Sequence, residues 1–212
     1  REVYGGRNFN GYGLGWGTTE YHGKQMVSHT GGYDGMYSAV TMLPTEKIGV
    51  VILTNTMDGI GTLLSYEIID RLLGLPQQDW KNRGINQDKG HWADRAARIK
   101  ERTDARIMGT KPSMDVVAIS GLYRCPLFGD IRILEENGKL TIDFVHSPQL
   151  KARLSHWHND TYQLEWLEEQ AWFEFGTVQI QMNNSGKPSG LLFDVPNDDI
   201  FFEEIKAVRV TP

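Results

Sequence analysis

Cysteine is almost absent from this chain. Cys125 is the only one in 212 residues, so neither an intramolecular disulfide nor a cysteine-based zinc finger can form. Long apolar runs are missing too, and none approaches the ~18–20 residues that cross a bilayer as a helix. No basic-then-apolar segment opens the chain, so we expect no signal peptide within it. It starts at Arg1 rather than Met, from which we expect a start codon and further chain upstream. An excess of positive charge is also lacking. Lys and Arg number 22 against 27 Asp and Glu, for a net charge of −5, which argues against a nucleic-acid binder. What is present, 40% hydrophobic and 23% charged residues, suits a folded globular chain. Its length allows one domain or two small ones.

The charges fall into blocks. Residues 1–80 carry 5 basic and 8 acidic groups, residues 81–112 carry 9 and 4, and residues 113–212 carry 8 and 15. Glycine follows the first boundary, with 14 of 23 in the first 80 residues, a density that means turns and close backbone approaches. The pattern there predicts strands at Leu14–Thr19, Gln25–His29, Met36–Leu43 and Ile48–Asn55. The second closes at Thr30-Gly31-Gly32, and a turn falls at His22-Gly23. Ile48–Asn55 is nearly all apolar, as expected of a strand buried on both faces. A helix over Ile60–Leu73 follows, with Asp58 as N-cap, Gly74 after its end, and Ile60, Leu64, Ile68 and Leu72 along one face. One helix cannot cover both faces of so apolar a strand, so residues 1–76 read as the end of a larger domain. Residues 77–112 read as a basic linker, helical over Trp92–Met108 with Ile99 and Ile107 as anchors.

From Val116 the period changes to two. Candidate strands are Val116–Tyr123, Asp130–Glu135, Lys139–Phe144, Lys151–Trp157, Thr161–Trp166, Ala171–Phe175, Val178–Met182, Gly190–Val195 and Ile200–Ile205. Turn signals such as Asn137-Gly138 and Asn159-Asp160 separate them. About eight such strands make an up-and-down barrel over residues 113–212.

The sharpest chemical signal is Ser28-His29-Thr30-Gly31-Gly32, a strand end that offers an imidazole, a hydroxyl and two glycines. Acyl-transfer enzymes aim backbone N–H groups at a developing oxyanion, and glycine lets a substrate approach the strand closely. Histidine at the rim can donate a hydrogen bond or move a proton. The alternative is a plain turn with an incidental histidine. Context favours the first: Tyr12-Gly13-Leu14-Gly15-Trp16-Gly17 precedes it, and Tyr33-Asp34-Gly35-Met36, then Leu43-Pro44 and Ile48–Asn55 with a helix, follow.

These blocks, over residues 11–74, resemble the C-terminal stretch of the serine β-lactamase-like hydrolases, the family of class C β-lactamases, DD-peptidases, D-aminopeptidases and related esterases. The following β-rich region resembles the lipocalin-like domain appended to some members, on phrases such as Gly121-Leu122-Tyr123. The resemblance implies an α+β fragment, antiparallel strands plus a C-terminal helix, followed by an all-β lipocalin-like barrel. It implies an active site along an edge strand, with His29, Thr30 and Gly31 in the K-T-G or H-T-G positions. Gly32 falls where an oxyanion-hole N–H is expected, with Tyr33 beside it. The family's S-x-x-K nucleophile motif is missing: none of the nine serines has lysine three positions on. The Y-x-N motif is expected upstream with it. The chain alone is therefore expected to be inactive, the missing N-terminal half of the catalytic domain to be its partner, and a small peptide, amide or ester to be the substrate of the intact protein. Histidine in place of the lysine, a permanent cation, favours a peptidase, amidase or esterase over a penicillinase. The family's habit implies a bacterial envelope or secreted setting.

No cofactor or nucleic acid is expected. His156 and His158, with His146, could hold a metal, but no carboxylate or cysteine stands at matching spacing, and we expect none. Trp157, Trp166, Trp172, Tyr162 and Phe173 either line a ligand cavity or fill the barrel. Asp198-Asp199 and Glu203-Glu204 read as solvated charges. Two further readings stay open: a non-catalytic module that holds a ligand in the barrel, and a remnant whose residues 1–80 expose an apolar face and self-associate.

Overall fold

The computed structural model describes residues 9–33, 35–170, 172–198 and 200–210. Asp34, Ala171 and Asp199, named above, lie outside them. The chain divides into two compact units, residues 1–93 and 94–212.

The first unit is an antiparallel sheet in chain order: β1 (Asn10–Gly13), β2 (Trp16–Tyr21), β3 (Lys24–Tyr33), β4 (Met36–Leu43) and β5 (Ile48–Thr54). Tight turns join the strands. Leu14-Gly15 and His22-Gly23 both have positive φ, at +52° and +81° and at +50° and +78°, which matches the right-handed twist of the flanking strands. Unlike the expected strand, β3 does not close at His29. It runs through Gly31 and Gly32, because pairing with β4 continues from Val27–Met42 to Tyr33–Met36.

α1 (Ile60–Leu72) packs on β4 and β5. Gly59, not Asp58, is its N-cap residue; the Asp58 carboxylate accepts from the Ile60 N–H at 3.2 Å and the Thr56 hydroxyl at 2.9 Å. Its C-terminus is closed by Gly74 at φ +66°, with Leu75 N–H donating to Asp70 C=O and Gly74 N–H to Arg71 C=O. The apolar stripe is not the buried one. Ile60, Leu64 and Leu72 are exposed, whereas Gly61, Ser65, Ile69 and Asp70 are buried. Small residues win that face because they let the helix approach the sheet: a Cβ on Gly61 would stand 3.4–3.5 Å from Ile52, Ala39 and Tyr37. β5 is likewise covered on one face only. Val50 is buried against α1, while Val51 and Leu53 on the opposite face are 62% and 76% exposed. Tyr21, Met26, Leu43, Val50, Ile69 and Trp80 form the core. Within it the Asp70 carboxylate accepts hydrogen bonds from the Tyr21 hydroxyl and, at 2.7 Å, from the Trp80 indole N–H.

α2 (Trp80–Asp104) starts twelve residues before the expected helix and ends before Met108. Asp79 sets the start, accepting from the N–H and the amide of Asn82, three residues on. The Asn82 bonds hold the Asp79 carboxyl below its usual range.

In the second unit a one-turn helix, α3 (Val116–Ile119), replaces the start of the first expected strand. Eight strands follow: β6 (Gly121–Cys125), β7 (Gly129–Glu136), β8 (Lys139–Phe144), β9 (Lys151–His158), β10 (Thr161–Trp166), β11 (Thr177–Met182), β12 (Pro188–Asp194) and β13 (Ala207–Arg209). Each pairs with its chain neighbours, and β13 pairs with β6 to close the barrel. Two expected strands are instead inward plugs. Residues 172–176 are irregular and bury Phe173. Ile200–Ile205 contains a 3-10 helix, Phe202–Glu204, and buries Phe202 and Ile205. The eighth strand is Ala207–Arg209, which the sequence pattern had not marked. From residue 94 on, α2 lies against this barrel through Arg98–Asp198 at 2.7 Å and Arg102–Asp194 at 2.8 Å; beyond its end, Arg106 stacks 4.4 Å over the Trp157 ring.

Candidate functional site

The residues expected to line an acyl-transfer site, His29 to Tyr33, make up the second half of β3. β2 pairs with β3 only as far as Ser28, opposite Gly17, whereas β4 continues alongside to Tyr33. Residues 29–33 therefore have a strand on one side only, and the site residues occupy an open half-edge inside a five-stranded sheet. Strand alternation divides them. Thr30 and Gly32 pair with Ala39 and Tyr37, which meet α1, so they face the helix side. His29, Gly31 and Tyr33 face the other side. His29 and Thr30 thus do not share a face, and only a group approaching the edge itself could reach both.

His29, Thr30, Gly31 and Tyr33 are exposed and Gly32 is half-buried. Neither glycine has a positive φ. A Cβ on Gly31 would meet only Ser38 Oγ, at 3.7 Å, an ordinary contact, so packing does not require glycine there. The Ser38 hydroxyl donates to Gly31 C=O at 3.3 Å. Two residues of the preceding hairpin surround the imidazole. Tyr12 Oη lies 3.1 Å from His29 Nε2, and Trp16 meets the ring edge-on, with centroids 6.4 Å apart. Sequence reading did not join Tyr12 to His29, since seventeen positions separate them and it takes both the β1–β2 and β2–β3 turns to bring them together.

The other candidates take structural parts. His156 Nε2 lies 2.9 Å from Asn159 C=O, and His158 Nδ1 accepts from the Ile107 N–H at 3.2 Å. His146 packs over Gly129. No group of three metal-ligating side chains occurs among the described residues. Trp166, Phe173 and Phe202 pack with ring centroids 4.8–6.1 Å apart and belong with Tyr162 and Trp172 to the barrel core, whereas Trp157 packs apart from it, against Phe175 and Arg106. Arg209 closes one end, donating to Ala118 C=O, Ser120 C=O and the Tyr123 hydroxyl. Burial pushes the Tyr123 and Tyr162 phenols above their usual range. A groove of about 700 Å³ lies between α1 and the first turns of α2, with Ile60, Leu63, Leu64, Trp80 and Ile85 in its walls. It includes none of the β3 residues.

Comparison with known proteins bears on both units. Residues 1–72 match the Beta-lactamase family, and residues 105–209 match a domain of unknown function, DUF3471. The chain is 41% identical over 71 residues to Unguisins hydrolase ungD of Aspergillus violaceofuscus, and 35% identical over 75 residues to Unguisins hydrolase ungD′ of Aspergillus campestris. Each match covers 32% of this chain, and 12% and 14% of the respective relative, so the chain spans about an eighth of the length of these curated relatives. Both are fungal, where the motifs led us to expect a bacterial setting. The structure of SurE with D-Leu aligns at a TM-score of 0.35 and 14% identity, over 94% of this chain and 39% of that one. The octameric penicillin-binding protein homologue from Pyrococcus abyssi aligns at 0.32 and 13%, over 94% and 37%. The chain joins a β-lactamase-like segment to a closed eight-stranded antiparallel β-barrel domain.

Proposed function

We propose that β3 is one wall of the acyl-transfer site of a serine hydrolase, whose nucleophile is supplied by chain outside these 212 residues. The half-edge at His29–Tyr33 carries this reading. A substrate carbonyl could lie along it, with the Gly32 N–H as one oxyanion donor and the missing serine's N–H as the other. Gly31 supports the reading, since neither its backbone nor its packing calls for glycine and a close approach by substrate would. His29 and Thr30 border the reacting groups from opposite faces. The missing serine attacks the carbonyl carbon, negative charge collects on the carbonyl oxygen, and the leaving amine or alcohol takes a proton as the acyl-enzyme forms. An imidazole in place of a permanent cation favours peptides, amides or esters over β-lactams. The curated relatives, named as hydrolases, support hydrolysis as the reaction class.

Covalent labelling tests it. A fluorophosphonate probe should label a serine upstream of Arg1 in the intact gene product and leave residues 1–212 alone unlabelled. Intact product with no labelled upstream serine would sink the proposal. The packed interior of the barrel favours a domain that acts through its outer surface over one that holds a ligand in its lumen.

A further inference from the structure

An exposed imidazole has two tautomers and free rotation about two bonds, so a histidine that must present one particular N–H needs an outside restraint. The β1–β2 hairpin supplies one. Its turn at Leu14-Gly15 holds positive φ at both positions and sets Tyr12 opposite Gly17 and Gly13 opposite Trp16. The Tyr12 hydroxyl stands 3.1 Å from His29 Nε2, and the two ring centroids are 6.1 Å apart. Trp16 meets the same imidazole at an interplanar angle of 81°. Tyr12 is itself largely exposed, as is every residue of β1, so the phenol's placement beside His29 is not set by burial of its ring.

We propose that Tyr12 is a positioning residue for His29, assisted by Trp16. The phenol donates to Nε2. That fixes neutral His29 as the Nδ1–H tautomer and leaves Nδ1–H as its free donor at the half-edge of β3. Trp16 limits ring rotation from the side. The functional meaning of the pair rests on the site reading above, but the tautomer is a property of this chain and can be read without any activity.

The experiment is nitrogen-15 NMR of the histidine rings in the 212-residue chain above the imidazole titration range. The wild type should show His29 Nδ1 as the protonated nitrogen and Nε2 as the bare one. Tyr12→Phe should return His29 to the tautomer mixture of a free imidazole, with the other five histidines and the backbone amide spectrum unchanged outside the hairpin. A wild-type His29 that is already a mixture, or bears its proton on Nε2, overturns the inference whether or not the variant folds. So does a Tyr12→Phe spectrum identical to the wild type. Failure of upstream-serine labelling with the tautomer retained would overturn the site and keep the pair. Labelling with a mixed tautomer would overturn the pair and keep the site.

Discussion

At the scale of single residues, burial decides more than charge. Asp70 is 1% exposed, and its two oxygens satisfy Tyr21 and Trp80. Asp70→Ala would strand a buried hydroxyl and a buried indole N–H, each worth ~1–3 kcal/mol unpaired. We expect a loss of about 2–5 kcal/mol in urea unfolding, with Asp70→Asn milder. Tyr162 is the opposite case, since its hydroxyl is buried with no hydrogen-bond partner among the described residues. Tyr162→Phe should be neutral or stabilise by up to ~1 kcal/mol at neutral pH. The phenol's raised pKa, from burial first and the Asp160 charge second, gives the pH dependence. The folded state prefers the neutral form, so this contribution is complete below the unfolded phenol's ~10 and fades as pH rises beyond it. Urea midpoints measured on both sides of that value should fall less in Tyr162→Phe than in the wild type. Gly31→Ala separates function from fold. The open space above it predicts a stability change within ~0.5 kcal/mol, while the intact gene product should lose most of its turnover. Turnover that survives Gly31→Ala counts against close substrate approach at β3.

At the scale of elements, glycine contacts identify where the fold is unforgiving. A Cβ on Gly190 of β12 would come within 2.9 Å of the Ala207 carbonyl oxygen, a backbone atom of the neighbouring strand. Gly190→Ala should cost about 1–3 kcal/mol by overpacking, as a lower thermal midpoint of the barrel. Much of this architecture could be read from the sequence. β4, β8 and β10 have the expected bounds, because alternation and turn residues agree there. Other elements could not be read, for nameable reasons. The pattern at Ile60, Leu64, Ile68 and Leu72 is helical, but the buried face includes Gly61 and Ser65, small residues that hydropathy ignores. Ile200-Phe201-Phe202 is a run of β-prone residues like a strand, yet Phe202 is drawn into the barrel as a plug. Asp79 starts α2 through a cap bond that no apolar period reports. Of the site, His29–Tyr33 was visible as a strand end rich in glycine. The half-edge was not, because it depends on β2 ending opposite Ser28.

At the scale of the molecule, the described residues cover one face of the first unit's sheet and leave the other exposed. Tyr33, Met36, Val51 and Leu53 are exposed on the side away from α1. Apolar area of this kind is usually covered by a partner. We expect the 212-residue chain to self-associate, and Val51→Thr with Leu53→Thr to lower its apparent mass in light scattering. A wild-type chain that stays monomeric at high concentration would contradict this. The barrel is self-sufficient by contrast, but its ring is sealed by a strand of only three residues, Ala207–Arg209, seated between β12 and β6. While the ribosome is still extending the polypeptide, the seven earlier strands can zip together in sequence and yet remain an open, adhesive ribbon. The domain is finished only when its last few residues emerge, and a nonsense codon ahead of Ala207 would leave two sticky borders for other nascent chains to join.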